Sequence, residues 1–281
     1  MERQLELNLA SAIQQDVRKA LAEDIGTGDV TARLVPASET ARAQVKTRVP
    51  AVLSGMAWFE ECFRQIDDEI EIHWRANDGD RLSREQLVCE LRGPARNLLT
   101  GERTSLNFLQ TLSGVATRTR AFVDAIAGTK AVILDTRKTI PGLRMALKYA
   151  VHCGGGTNHR MGLYDGILIK ENHIASAGGI AAVLLQAGKI AQHIPTEIEV
   201  ENIDQLNQAI TAGAKLILLD NFDVDRLREA VKATAGRALL EASGGINLET
   251  VRAIAETGVD RISVGSLTKD IQAIDLSMRF F

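Results

Sequence analysis

The sequence predicts an α/β protein: a barrel-like parallel sheet in the second half, preceded by a smaller domain of mixed helix and strand. Three observations predict it. Six short apolar segments each end in a polar or glycine-containing element: VILDTRK, GILIKEN, TEIEVEN, LILLDN, ALLEASGG and RISVGS. Their ends at Asp135, Lys170, Glu199, Asp220, Ser243 and Gly265 are spaced 35, 29, 21, 23 and 22 residues apart. The last three spacings are close to the minimum for one strand plus a crossover helix. Finally, the ends carry an ordered chemistry, cations first, acids next and Ser/Gly pairs last. A doubly wound open sheet shares the alternation, but charged groups at nearly every consecutive strand end favour a closed or nearly closed barrel, where all ends converge on one rim.

The elements before the barrel follow in order. Leu9, Ile13, Val17 and Leu21 fall at helical spacing, so an amphipathic helix is predicted over 9–21. Turn residues over 23–29 interrupt it. Alternation over 40–52 predicts a strand, and so does Ile70-Glu71-Ile72-His73-Trp74, with Asn77-Asp78-Gly79-Asp80 as the turn after it. Residues 87–91 read as a further strand. Gly93-Pro94 then breaks the chain, and 95–112 recovers a helical stripe of Leu98, Leu99, Leu106, Phe108, Leu109 and Leu112. A domain boundary is placed near Ser113-Gly114. Beyond it, helical segments over 178–193, 203–212, 223–235 and 247–257 alternate with the strands, and the tail 273–281 alternates weakly and is read as returning to the first domain.

Bulk properties narrow the function classes. The chain has 281 residues, 45% hydrophobic and 25% charged, with a net charge of −3. No global positive field points to nucleic acid. The apolar runs fall short of the roughly 20 residues that span a bilayer, and the N-terminus has no signal-peptide hydrophobic block, so no membrane partner and a cytoplasmic location are expected. Cys62, Cys89 and Cys153 form no CxxC pair and read as reduced, mostly buried thiols. Cys153 sits beside a glycine run near His159, and a packing role is favoured over a nucleophilic one.

The strand ends hold the chemistry. Arg137 and Lys138 are adjacent at the rim, where a guanidinium fork can clamp carboxylate or phosphate. Gly154-Gly155-Gly156 permits close backbone approach and is followed by His159 and Arg160. With Arg137, Lys138 and Lys170 on the same rim, Arg160 makes an anion site. His159 either bonds the anion or orients a neighbour, whereas His73 and His193 read as surface or packing groups. Lys170 ends an apolar strand, where it is costly without an anionic partner; His173 follows and is expected to line the same cavity.

Glu197, Glu199 and Glu201 alternate on one strand and share a face, which points into the barrel mouth or into solvent. Asp220 ends the next strand. Two carboxylates from adjacent strand ends suit Mg²⁺, which prefers oxygen ligands and bridges phosphates; the alternative is neutralisation of the cations by internal salt bridges. Ser243-Gly244-Gly245 and Gly265-Ser266 precede helical segments and match the phosphate corner of a barrel. No G-x-x-x-x-G-K-[ST] loop and no post-strand G-x-G-x-x-G is present.

As a set these residues resemble the quinolinate phosphoribosyltransferase family. The resemblance rests on DTRKTIPGLRMALKYAVHCGGGTNHRMGLYDGILIKENH (135–173), and extends to EDIGTGDVT (23–31), GERTSLNFLQTLSGVAT (101–117), EIEVEN (197–202), LILLDNF (216–222), EASGGI (241–246) and SVGSLT (263–268). It implies an N-terminal α/β sandwich domain at 1–113 and an incomplete, open TIM-like α/β barrel at 114–272, with the tail 273–281 packed back on the first domain. It also implies a homodimer whose active site borrows from the partner's first domain.

The resemblance further implies roles. Arg103, on the 95–112 helix and otherwise read as a solvated charge, matches an arginine contributed across the dimer interface. Arg137, His159, Arg160 and Lys170 match positions that contact a pyridine dicarboxylate, with His173 beside them. Lys138 and Lys170 face the donor's phosphates. Glu199 and Asp220 match acids associated with Mg²⁺, directly or through water, and with the ribose. Ser243, Gly244, Gly245, Gly265 and Ser266 match a 5′-phosphate cradle. The catalytic residues expected are Lys138, Lys170, Glu199 and Asp220. The implied reaction joins quinolinate to 5-phosphoribosyl-1-pyrophosphate, giving nicotinate mononucleotide, pyrophosphate and CO₂. A related enzyme with a monocarboxylate acceptor would need fewer cations than Arg103, Arg137, Arg160 and Lys170 supply. A non-catalytic anion binder would gain nothing from Glu199 and Asp220.

Overall fold

The computed structural model describes residues 2–190 and 193–281, with residues 2–8 described by backbone alone. The chain opens with α1 (Glu2–Ile25), a short 3₁₀ turn, β1 (Thr40–Thr47), β2 (Ala51–Val52), α2 (Met56–Ile66), β3 (Glu71–Trp74), β4 (Arg81–Leu82) and β5 (Leu87–Pro94). It continues with α3 (Ala95–Ala125), β6 (Val132–Leu134), α4 (Arg144–Cys153), β7 (Ile167–Ile169), α5 (Glu171–Ala177), α6 (Ile180–Ile190), β8 (Thr196–Val200) and α7 (Ile203–Thr211). It ends with β9 (Leu216–Asp220), α8 (Val224–Thr234), β10 (Leu239–Ser243), α9 (Val251–Ala255), β11 (Arg261–Ser263), α10 (Ser266–Lys269) and β12 (Leu276–Phe280). Two compact units result: residues 1–120, 139–155 and 268–281 form one, and residues 121–138 and 156–267 form the other.

In the first unit an antiparallel sheet runs β12-β1-β5-β3. The tail thus supplies an edge strand, with Val45 opposite Met278. Phe59 and Phe63 of α2, and Leu98, Leu106 and Leu109 of α3, share one core with Val45, Val88 and Leu91 of the sheet. Rings pack edge-on within it, Phe59 to Phe63 at 5.2 Å and Phe59 to Trp74 at 5.3 Å.

Two local expectations change. The strand predicted over 40–52 is broken into β1 and β2, with Pro50, which cannot donate to a ladder, in the gap. Gly93-Pro94 does not interrupt β5 but closes it, at the end of the ladder opposite Thr40. α3 runs uninterrupted through Ser113-Gly114, because this glycine serves contact rather than a turn: a Cβ there would collide with the Gln272 carbonyl oxygen.

The second unit holds six parallel strands in the order β6-β11-β10-β9-β8-β7. This is ring order with one joint missing. Each strand pairs with its barrel neighbours except β6 and β7, so the barrel is open along that seam. The chain after α4 enters the seam. Thr157 donates its N–H to the Ile133 carbonyl at 2.8 Å and accepts the Asp135 N–H at 3.2 Å, adding one parallel bridge to the free side of β6.

Register decides what faces the interior. Glu199 lies beside Leu218, Leu218 beside Glu241, and Glu241 beside Arg261. One step deeper, Glu197 lies between Leu168 and Leu216; at the rim, Asp220 lies beside Ser243. The period of two puts Glu197 under Glu199 and Glu241 under Ser243. Among the described residues no single helix is long and apolar enough to cross a membrane; the pair α5 and α6, bent by 93°, passes on length and composition only.

Candidate active site

The C-terminal strand ends of the second unit surround a cleft of about 650 Å³. Arg137 and Lys138 enter it from the end of β6, Arg160 from the seam segment, and Lys170 from β7; Glu199, Asp220 and Ser243 close it from β8, β9 and β10. The sequence prediction that these groups share one rim is met in the geometry. Lys170 Nζ contacts Glu199 Oε2 at 2.9 Å, with the lysine side chain 46% exposed and the glutamate 12%. The lysine therefore has the anionic partner that a strand-end cation requires, in the form of an ion pair set half in solvent.

The two guanidinium groups are held differently from surface arginines. Arg160 donates Nη1 to the Gly166 carbonyl at 2.9 Å. Burial, and then the adjacent Arg137 charge, pull its pKa below the ordinary arginine range, opposed by Asp165 and Glu197. Two like charges crowded beside a cleft favour an anion that can neutralise both. Lys138 lies over Gly265: a Cβ added there would stand 3.1 Å from Lys138 Cδ, so glycine leaves the lysine room to reach the rim.

The predicted phosphate corner has another construction than expected. Ser243, Gly244 and Gly245 line the cleft, but α9 starts only at Val251, so these residues form a turn and not a helix N-terminus. Gly244 and Gly245 have φ of 106° and 60°, values that favour glycine, and a Cβ at Gly244 would collide with the Asn221 side chain. Asn221 also has positive φ, donates its backbone N–H to Ser243 at 2.9 Å, and donates Nδ2 to Asp220 Oδ2 at 2.9 Å. It joins the two strand ends into one surface. Gly265 and Ser266 do not line the cleft itself.

His173 is used locally. Its Nδ1 accepts the Lys170 backbone N–H at 3.0 Å, and its own N–H donates to the Lys170 carbonyl at 2.9 Å, which fixes the start of α5. It does not line the cleft. Arg103 is exposed on α3 in the first unit and is not among the cleft residues. Cys153 is half-buried, and burial pushes its thiol pKa up, which keeps it protonated.

His159 turns inward. Its Nε2 lies 2.9 Å from Glu197 Oε2 and 3.7 Å from Glu241 Oε1, while its Nδ1 accepts the Arg160 backbone N–H at 2.8 Å. Asp135, fully buried, accepts the His159 N–H at 2.9 Å and the Asn158 side-chain amide at 2.6 Å. Sequence reasoning did not single out Glu241 or Asp135 as site residues. The available signal was periodicity, since Glu241 alternates with Ser243 just as Glu197 does with Glu199.

With this geometry in place, comparison with known proteins is decisive. Residues 115–279 match the model of the quinolinate phosphoribosyl transferase C-terminal domain, and residues 29–113 match that of the N-terminal domain. The chain belongs to the quinolinate phosphoribosyltransferase family. A nicotinate-nucleotide pyrophosphorylase structure from Francisella tularensis superposes with a TM-score of 0.95 at 48% identity, covering 97% of each chain. The probable nicotinate-nucleotide pyrophosphorylase [carboxylating] of Bacillus subtilis is 44% identical over 91% of this chain and 89% of its own. The Mycobacterium leprae protein of that name is 42% identical over 95% of this chain and 96% of its own. The family expectation of an incomplete barrel agrees with the open seam between β6 and β7.

Proposed function

We propose that this protein transfers the phosphoribosyl group of 5-phosphoribosyl-1-pyrophosphate to quinolinate with loss of CO₂, as a magnesium-dependent homodimer in the cytoplasm. One observation carries the reading: Arg137, Lys138, Arg160 and Lys170 converge with Glu199, Asp220 and the Ser243–Gly245 turn on a single cleft. A dianionic acceptor and a polyphosphate donor need the cations, and a metal-bound donor needs the acids.

Arg137 and Arg160 clamp the acceptor's two carboxylates and orient the ring nitrogen toward the anomeric carbon of the donor. Lys138 and Lys170 meet the donor's phosphates, and the backbone N–H groups of the Ser243–Gly245 turn receive the 5′-phosphate. The C–N bond forms as the C–O bond to pyrophosphate breaks. Positive charge building on the ribose is stabilised by the carboxylates of Glu199 and Asp220, which line the cleft. Attachment leaves a pyridinium, whose ring accepts the electrons of the breaking C–C bond as CO₂ departs; a proton then takes its place, with Lys138 placed to assist.

Glu199 and Asp220 present only oxygen donors at the rim, a set that fits Mg²⁺. Bound there, the ion would shield the charge of the leaving pyrophosphate. Lys170, which pairs with Glu199 at 2.9 Å, would then be free to meet the phosphates. The cytoplasmic assignment is supported by the three free cysteines, which suit a reducing compartment.

The dimer reading is supported by the exposure of Arg103 and of the large apolar side chains Val30, Leu34, Leu163 and Tyr164. Arg103 of one subunit completes the carboxylate clamp of the other. Two measurements test the proposal. Purified protein with Mg²⁺ and the donor should release labelled CO₂ from carboxyl-labelled quinolinate, and absence of release across pH and metal would refute the activity. Arg103→Ala and Lys170→Ala proteins, each nearly inactive alone, should regain activity when subunits exchange; exchange without recovery would refute the shared site.

A further inference from the structure

The barrel interior below the cleft holds two glutamates and one histidine where a barrel of this type is filled with branched apolar side chains. His159 is 15% exposed, Glu197 5% and Glu241 1%. His159 lines the cleft above and also a second cavity of about 360 Å³ below, which reaches Glu197. The three groups thus sit between the two cavities, with their ligand atoms within 4.8 Å of one another.

Hydrogen bonding assigns the protons. Nδ1 of His159 accepts the Arg160 N–H, so the ring proton resides on Nε2, and it points at Glu197. An Nε2 that carries a proton has no lone pair for a metal, which argues against a cation at this cluster. Glu197 takes the His159 donor. Among the described residues neither carboxylate oxygen of Glu241 has a partner in full hydrogen-bond geometry, although the side chain is almost wholly buried; the Ser263 hydroxyl is the polar group beside it. An ionised carboxylate in that position has little beyond the Ser263 hydroxyl and the Arg261 charge to offset its burial.

The groups facing Glu241 are Glu197 from β8, His159 from the seam segment, and Arg261 and the Ser263 hydroxyl from β11; β9 presents Leu218. We propose that Glu241 is a positioning residue for the phosphoribosyl-transfer site: as a neutral acid it leaves Glu197 alone to hold His159, and His159 in turn sets the direction of Arg160. Burial, and then the Glu197 charge, raise its pKa to about 7 against the Ser263 hydroxyl and the Arg261 charge. When Glu241 ionises, two negative charges compete for one imidazole beneath a site built for a dianion. His159 shifts, Arg160 loses its aim, and acceptor affinity falls. The chemical step, which depends on Lys138, Lys170, Glu199 and Asp220, changes less.

This inference rests on the quinolinate reading, so the test separates the two. Infrared spectroscopy of the ligand-free protein should show the carbonyl stretch of a protonated carboxyl at pH 6. That band should fade toward pH 8 and be missing in Glu241→Gln. In kinetics at saturating donor and Mg²⁺, wild-type KM for quinolinate should rise about tenfold one pH unit above the infrared midpoint, because only about a tenth of the molecules then keep the competent state. Over the same range kcat should change by less than about twofold. Glu241→Gln, which imitates the neutral acid, should hold the low KM across the range, whereas Glu241→Ala should have a raised KM at every pH. The proposal is overturned if the band is absent at pH 6, if Glu241→Gln loses affinity as Glu241→Ala does, or if Glu241→Gln retains the alkaline rise. A protein that shows the band yet never turns over quinolinate refutes the activity and leaves the proton where it was assigned.

Discussion

The antiparallel sheet of the first unit lays Val45, Val88 and Leu91 against Phe59 and Phe63, whereas the parallel sheet of the second curls around Glu197, Glu241 and His159. In the first, stability comes from apolar volume removed from water, and each side chain is answerable to its shape. In the second, the interior is held by a chain of proton and charge assignments that runs up to the rim. Substitutions in the apolar core of the first unit should therefore register as stability, and those at the second unit's cleft as catalysis.

The largest expected effect tests the apolar half. Phe63→Ala removes a ring that is 1% exposed and should lower unfolding stability by about 3–5 kcal/mol in urea titrations. A loss under about 1 kcal/mol would mean that this core is not packed as described. Next, Lys170→Ala should reduce kcat/KM by roughly 10²–10³-fold, about 2.7–4 kcal/mol of transition-state stabilisation. Its thermal midpoint should scarcely move, because the Lys170–Glu199 pair is half in solvent. An equal drop in stability would erase the division between the units.

A third measurement is pH-dependent. With Glu241 raised from 4.5 to about 7, the folded state retains a proton that the unfolded chain has released between those values. The stability contributed by this group is full below its unfolded pKa and is lost as pH rises through the folded one. Glutamine has no such titration, so the stability of Glu241→Gln relative to wild type should grow between pH 5 and pH 8, by at most about 3 kcal/mol. A pH-independent difference would show that Glu241 does not titrate there. The smallest effect concerns a turn in the first unit. Asp29 accepts the N–H groups of Thr31 and Ala32, each at 2.9 Å, and the Thr100 hydroxyl at 2.9 Å. Asp29→Ala should cost about 1 kcal/mol, as the loss of a capping side chain does, with no change in kcat.

The six strands of the second unit were legible because buried parallel strands read as unbroken apolar runs, and their polar ends were legible because strand ends converge. Elsewhere local signals competed. In α2, Trp58, Phe59, Cys62, Phe63 and Ile66 recur at helical spacing, a short signal masked by the strand patterns on either side. At Ser113-Gly114 the helix continues, because glycine marks close contacts as well as turns and here it admits the approach of Gln272. His159 and His173 looked like neighbours of an anion. Their rings are committed to Glu197 and to the Lys170 backbone, and ring direction is set by partners distant in sequence for the first and by capping for the second. Arg103 illustrates another limit: periodicity alone reads it as a solvated helix charge, and its proposed use by a second subunit has no signal in the pattern of one chain.

The single bridge that Thr157 makes along β6 has a consequence for solubility. An opened barrel exposes a strand edge able to recruit strands from other molecules, and here the first hydrogen bonds of that edge are already taken by the chain's own seam segment. The same few residues carry His159 and Arg160. Loosening the seam should therefore cause inactivity and aggregation together, so a poorly soluble variant in this segment reports on the site as directly as an inactive one.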